Sequence, residues 1–235
     1  MNVQDSVVLI TGANRGLGLA LTRELKAQGA RKIYAAVRDP SKADLPGVEL
    51  LKLDVTDAGQ IAAAVQAAPD VTIVINNAGI SLGSTVLQAD AADNARAELE
   101  TNLFGPLAVS QAFAPVLKRN GGGAIVNILS ALSWLSFPTS ATYSVSKSAA
   151  WAMTNGLRGE LRAQGTQVLG AHMGLMDTDM TKRYDTPKAN PAVIAQNIVA
   201  ALQANEDEVL TDDVSRQLKQ GLTAPRSMYL GEARA

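Results

Sequence analysis

A phenol, an ammonium and a hydroxyl are the groups in this chain whose spacing suits them to joint chemistry. Tyr143 and Lys147 lie four residues apart, and Ser130 stands thirteen residues before the tyrosine. Four residues is close to one helical turn, so Tyr143 and Lys147 share a face of any helix that carries them. A phenol is a weak acid with an ordinary pKa of about 10. It serves as proton donor and acceptor near neutral pH where a neighbour favours the phenolate, and a lysine one turn away supplies a positive charge. Taken alone, such a pair is more often a helix-start residue and a solvated charge. What the other elements place around it decides between the two.

Those elements alternate. Apolar runs at 7–10, 33–37, 48–53, 71–75, 124–129 and 168–171 read as strands, and helical periodicity such as Leu17, Leu21 and Leu25 fills the intervals. The run at 71–75 is almost unbroken, as a parallel strand covered on both faces should be. The pattern predicts an α/β fold, a doubly wound parallel sheet with helices on both faces, in a single domain over 1–235. Residues 208–210 read as an edge strand and 214–222 as a last short helix.

In such sheets ligands bind beyond the strand C-termini. The first strand runs into Thr11-Gly12-Ala13-Asn14-Arg15-Gly16-Leu17-Gly18, a glycine turn opening a helix, where a tight backbone and unpaired N–H groups suit a pyrophosphate. After the second strand comes Arg38, which with Arg15 can converge on a ribose 2′-phosphate, so NADP(H) is preferred over NAD(H); the alternative is that Asp39 takes a 2′-hydroxyl. Asp54 and Val55 follow the third strand and are candidates for the adenine, with Thr56 or Asp57 capping the next helix. Asn76-Asn77-Ala78-Gly79 ends the fourth, and Asn76, Ala78 and Gly79 are assigned to the cofactor cleft.

Pro106 interrupts a long helical region over 91–117. Lacking an N–H, it deprives the Asn102 carbonyl of its partner and predicts a kink there. Ser130 ends the fifth strand, and Trp134 and Phe137 lie in the short loop that follows, where they can wall a pocket. The helix from 141 carries Ala149, Ala150, Ala152, Gly156 and Gly159, small residues that permit close approach of another helix. His172, the only histidine, reads as a satisfied structural residue, and 181–191 as a polar, mobile segment.

Composition narrows the classes. A net charge of -1 offers no field for a nucleic acid backbone, and no apolar run is long enough to span a bilayer. No charged-then-apolar targeting segment precedes the first strand, and there is no cysteine, so a cytoplasmic protein without disulfides or a metal site is expected.

Joined in order, Thr11-Gly12-x-x-x-Gly16-x-Gly18, Asn76-Asn77-Ala78-Gly79, Asn102, Ser130 and Tyr143-x-x-x-Lys147 resemble the short-chain dehydrogenase/reductase family in its compact, Rossmann-type branch. The resemblance implies hydride transfer between nicotinamide and a carbonyl or alcohol carbon. It makes Tyr143 the general acid or base, Ser130 the holder of the substrate oxygen, Lys147 the binder of the ribose, and Asn102 the holder of a water through its carbonyl. Residues 173–180 resemble the family's Pro-Gly-x-x-x-Thr stretch, with Met173 in place of proline. Thr178 is then placed for the carboxamide and Met176 for the nicotinamide face, with a substrate loop near 176–191. Leu175, Trp134 and Phe137 suggest an apolar pocket and a hydrophobic ketone, aldehyde or alcohol. A homodimer or homotetramer built on the helices near 91–117 and 141–163 is also implied. Two rivals are a cofactor-binding regulator without turnover, which has no need of Ser130, Tyr143 and Lys147 together, and the family's longer epimerase-like branch, whose glycine spacing differs.

Overall fold

Successive strand residues face opposite ways, and in β1 (Val7–Thr11) both faces are apolar and buried. Such a strand must sit inside a sheet covered on both sides. The computed structural model of the chain, which describes residues 1–231, places it there. Six further strands join it: β2 (Lys32–Val37), β3 (Glu49–Lys52), β4 (Ile73–Asn76), β5 (Ala124–Ile128), β6 (Gln167–His172) and β7 (Glu208–Leu210). Every pairing is parallel, in the order β3-β2-β1-β4-β5-β6-β7. The direction of winding reverses between β1 and β4.

One face is covered by α1 (Gly16–Ala27) and α6 (Pro191–Gln203), whose Leu17, Leu21, Leu25, Ile194, Ile198 and Leu202 pack on Val8, Ile10 and Ile73. The other is covered by α2 (Ala58–Ala67), α4 (Gly105–Arg119) and α5 (Ala141–Leu161), with Phe113, Leu117 and Leu157 on Val7, Leu9, Val74 and Ile125. Each fully buried leucine or isoleucine contributes about 2 kcal/mol relative to exposure. Side-chain caps set the helix starts: Asp57 accepts from the Gln60 N–H at 3.0 Å, and Asn190, just before Pro191, accepts from the Ala192 N–H at 2.9 Å. The last helix, α7 (Asp213–Gly221), is capped by Asp212, which accepts from the Ser215 N–H at 2.7 Å.

The helical region over 91–117 is interrupted at the expected place, next to Pro106. α3 (Ala91–Leu99) passes through a π turn (Glu100–Phe104) into α4, with the Gly105 N–H donating to the Glu100 carbonyl five residues back. In an α-helix the Pro106 ring would strike the Asn102 carbonyl, and a turn one residue wider makes room for it. The fourth strand begins at Ile73 rather than Val71. Ahead of it the Thr72 hydroxyl accepts the Val7 N–H at 3.0 Å, tying the strand entry to β1.

The 176–191 segment is stitched at its base. The Asp177 N–H donates to the Ala189 carbonyl at 3.0 Å, and the Ala189 N–H to the Leu175 carbonyl at 2.8 Å. Between these ends lies one short helical turn, Asp179–Thr181. Among the described residues no helix is long and apolar enough to cross a membrane.

Candidate active site

The reversal between β1 and β4 opens a crevice at their C-terminal ends, and two side chains tie its lips together. The Thr11 hydroxyl accepts the N–H groups of Asn77 and Ala78, each at 3.0 Å. The Asn77 amide returns two bonds, to the carbonyls of Thr11 at 2.8 Å and Gly12 at 3.1 Å. Gly12 has φ +66° and Gly16 φ +51°, which suit residues without a Cβ. A Cβ on Gly18 would lie 2.1 Å from the Gly12 carbonyl oxygen, so only glycine fits there. α1 then starts with no side-chain cap and no acid in its first turn. Its free N–H groups fit the phosphates of a dinucleotide.

At the outer end of the crevice Arg38 and Arg15 are both exposed. Arg15 reaches across to the 176–191 segment, 3.7 Å from the Asp179 carboxylate, and Gly16 lies against Thr178, whose Cγ2 would be 3.3 Å from an added Cβ. Asn14 is exposed on the same turn, while the Leu17 side chain is buried in the core. Asp39, the alternative ribose ligand, is engaged elsewhere: its carboxylate accepts the Ser41 N–H and hydroxyl and pairs with Lys42, contacts that hold it below the usual carboxylate range. Asp54 closes its own turn, accepting the Thr56 N–H at 3.0 Å and hydroxyl at 2.8 Å. Val55 is buried where α4 begins, against Gly105.

Deeper in, α5 brings Tyr143 and Lys147 to the end of β5. The Ser130 hydroxyl stands beside the Tyr143 phenol, where it favours the ionised form. Its oxygen also accepts the Leu132 N–H at 3.1 Å, which fixes its rotamer. Lys147 is buried, donates from Nζ to the Ile128 carbonyl at 2.8 Å, and lies 5.7 Å from the centre of the Tyr143 ring. Burial lowers the Lys147 ammonium to about 8. Burial pushes the Tyr143 phenol well above its ordinary value, the neighbouring Ser130 hydroxyl opposes that, and the charges of Glu98 and Tyr184 add to it. Desolvation is the largest of these effects. The phenol therefore holds its proton at neutral pH.

Asn102, on the π turn, aligns this cluster with the crevice wall. Its side chain both accepts from and donates to the Ile80 backbone at 2.9 Å, and donates to Ser146 Oγ at 2.9 Å; that hydroxyl in turn donates to the Tyr143 carbonyl at 2.7 Å. A Cβ on Gly79 would sit 3.1 Å from Asn102 Oδ1 and 3.8 Å from Lys147 Nζ, so Gly79 keeps the passage open.

Several assigned residues are placed otherwise than their position in the motifs implied. The Asn76 side chain turns inward, donating to Ser110 at 3.0 Å and Asn127 at 2.8 Å, and it is Asn77 that ties the cofactor turn. The two are adjacent, and strand alternation sends them to opposite sides. Trp134 stacks on His172, with ring centres 4.1 Å apart, so its ring is engaged beneath the loop. Phe137 and Leu175 remain exposed, as does Met180. Met176 forms a bridge to Ala189 at the loop base. Two groups went unassigned. Glu98 is fully buried and accepts the Leu82 N–H at 2.7 Å; its place four residues before Asn102, on the same helical face, was the available signal. Tyr184 reaches from the loop to the Ser140 hydroxyl at 3.0 Å, and only tertiary structure brings it there.

A doubly wound parallel sheet, an anion-ready glycine turn at its reversal and a Ser–Tyr–Lys cluster beside it define a dinucleotide-dependent oxidoreductase. The family follows from comparison: a model described as short chain dehydrogenase matches residues 6–189, and the chain belongs to that family. Dehydrogenase/reductase SDR family member 7B of Bos taurus is 30% identical, over 90% of this chain and 74% of its own. An uncharacterized oxidoreductase of Staphylococcus aureus is 30% identical over 84% of this chain and 91% of its own. Among solved structures, a short chain dehydrogenase from Burkholderia cenocepacia in complex with NADP superposes with a TM-score of 0.92, at 40% identity over 96% of each chain. A gluconate 5-dehydrogenase from the same organism, in complex with NADP and tartrate, gives 0.79 at 25% identity over 88% of this chain and 93% of its own.

Proposed function

We propose that this chain is an NADPH-dependent carbonyl reductase or alcohol dehydrogenase acting on hydrophobic ketones, aldehydes or the matching alcohols, and that it works as a homodimer or homotetramer. The observation that carries this reading is the cluster of Ser130, Tyr143 and buried Lys147, the last two one helical turn apart, beside an uncapped glycine turn. The NADP in the Burkholderia short chain dehydrogenase and gluconate 5-dehydrogenase supports the cofactor, together with Arg15, the exposed Arg38 and the prior engagement of Asp39. The exposed side chains of Phe137 and Leu175 support an apolar substrate.

The N-terminal N–H groups of α1 would hold the pyrophosphate, Arg15 and Arg38 the 2′-phosphate, and Asp54 and Val55 the adenine. Asn14, Ala78 and Gly79 would line the path, Lys147 would hold the nicotinamide ribose, and Met176 and Thr178 the nicotinamide itself. Bound NADPH supplies the hydride. In reduction, Ser130 donates to the substrate carbonyl oxygen and fixes it beside Tyr143. The Tyr143 phenol, kept protonated by its buried setting, then gives its proton to that oxygen as negative charge develops there. Lys147, an ammonium below about pH 8, offsets the phenolate left behind.

A screen of NADPH oxidation over aryl and alkyl ketones, aldehydes, quinones and small polar hydroxyacids tests the reading. Turnover of the apolar carbonyls is expected, with Tyr143→Phe losing it by about a thousandfold or more while still binding NADPH. Binding of NADPH without turnover of any carbonyl would instead establish a regulator, and a preference for the hydroxyacids would overturn the substrate class.

A further inference from the structure

His172 ends β6 and is completely buried. Its Nδ1 lies 3.0 Å from the carbonyl oxygen of Ser130. A carbonyl can only accept, so Nδ1 carries a hydrogen and donates it. On the other side of the ring Nε2 lies 3.4 Å from Glu208 Oε1, and Glu208 Oε2 accepts a 2.6 Å bond from Lys219 Nζ. Trp134 stacks on the imidazole with an interplanar angle of 22°, and Lys219 Nζ stands 4.7 Å from the centre of the Trp134 ring. Four side chains from the loop after β5, from β6, from β7 and from α7 thus form one packed cluster whose inner contact is the peptide of Ser130.

That peptide is gripped on three sides. The Leu129 N–H donates to Ala171 at 2.8 Å and the Ala131 N–H to Met173 at 2.9 Å, which ties its flanks to β6; the Ser133 N–H shares the Ser130 carbonyl with His172, at 3.0 Å. The backbone of Ser130 sets the direction of its hydroxyl, and a displacement of about 1 Å in a reacting group costs roughly a hundredfold in rate.

We infer that His172 is a positioning residue for Ser130, held in place by Glu208 and Lys219, so that β7 and α7 form part of the catalytic apparatus. Glu208 and Lys219 both lie beyond residue 189, where the family match ends. Nε2 makes no hydrogen bond, so on that side the ring is held by the stacked Trp134 face and by packing against the Glu208 carboxylate, itself anchored by Lys219, and with the ring the donor that faces the serine carbonyl. The inference rests on the role proposed for Ser130 in carbonyl reduction.

The experiment compares His172→Leu, His172→Asn and Glu208→Gln with the unaltered chain, reading kcat, KM, NADPH affinity, thermal midpoint and the carbon NMR signal of the Ser130 carbonyl. Asparagine keeps a donor where Nδ1 stood, whereas leucine removes it. His172→Leu should lower kcat by roughly a hundredfold with NADPH affinity nearly unchanged, and His172→Asn should recover at least about tenfold of that loss. Glu208→Gln should lower kcat and shift the ring signals of the chain's single histidine. Should His172→Leu fail to fold, the other two variants carry the test. Equal kcat in the asparagine and leucine variants, losses that merely track thermal midpoint, or a Ser130 carbonyl signal indifferent to His172→Leu would each overturn the inference. If the unaltered chain turns over no carbonyl, the functional reading fails instead, and the carbonyl and ring signals still decide the positioning.

Discussion

Burial sets opposite demands on the two groups that face each other on α5: it raises the Tyr143 phenol and lowers the Lys147 ammonium to about 8. The first keeps the phenol protonated, and the second brings the loss of the ammonium's proton within reach of ordinary pH. kcat/KM for carbonyl reduction should therefore fall as pH rises through about 8, where Lys147 loses its proton. Stability should move the other way. The unfolded lysine keeps its proton up to 10.5 and the folded one only to about 8, so between those values the unfolded chain binds more protons and stability rises with pH. Lys147→Met should remove that rise, together with turnover and much of the NADPH affinity. A pH-stability curve for the variant parallel to that of the unaltered chain would reject this account. At this scale the spacing of Tyr143 and Lys147 was legible because a helix turn is local. The choice between Asn76 and Asn77 was not, because the same amide on adjacent residues meets different neighbours.

Elements show the same division. The glycine turn could be read from its composition, and the structure adds what each glycine meets. A Cβ on Gly18 would lie 2.1 Å from the Gly12 carbonyl oxygen and 2.6 Å from Asn77 Nδ2, neither of which can retreat without parting β1 from β4. Gly18→Ala should cost about 1–3 kcal/mol and weaken NADPH binding, seen as a lower thermal midpoint and a higher Kd. An unchanged Kd would mean that the turn does not hold the phosphates. Pro106 announced a break, yet not its form. Whether a helix kinks or widens into a π turn depends on what it packs against, and here Asn102 must reach both Ile80 and Ser146.

At the scale of the molecule, α5 carries an outward stripe of small residues. Gly156 and Gly159 have nothing within 4 Å of an added Cβ, and nearby Val145 and Phe104 expose apolar surface at 50% and 48%. A second copy covering this face is the arrangement proposed above, because close helix approach needs small residues and gains from apolar ones. Light scattering at micromolar concentration should give a dimer or tetramer, and Gly159→Trp should shift it toward monomer. A monomer in the unaltered chain would reject the assembly.

The amino-acid sequence by itself determined the alternation of strands and helices, the glycine turn and the order of Ser130, Tyr143 and Lys147. Each is written in periodicity or in residues with few allowed conformations, which act over a few positions. Tertiary structure alone decided which way equivalent side chains face. It turned Asn76 inward and Asn77 to the turn, stacked Trp134 on His172, and carried Glu208 and Lys219 to the back of the Ser130 peptide, behind His172. Those contacts join residues far apart in the chain, and only the closed sheet and its packed helices bring them within hydrogen-bonding distance.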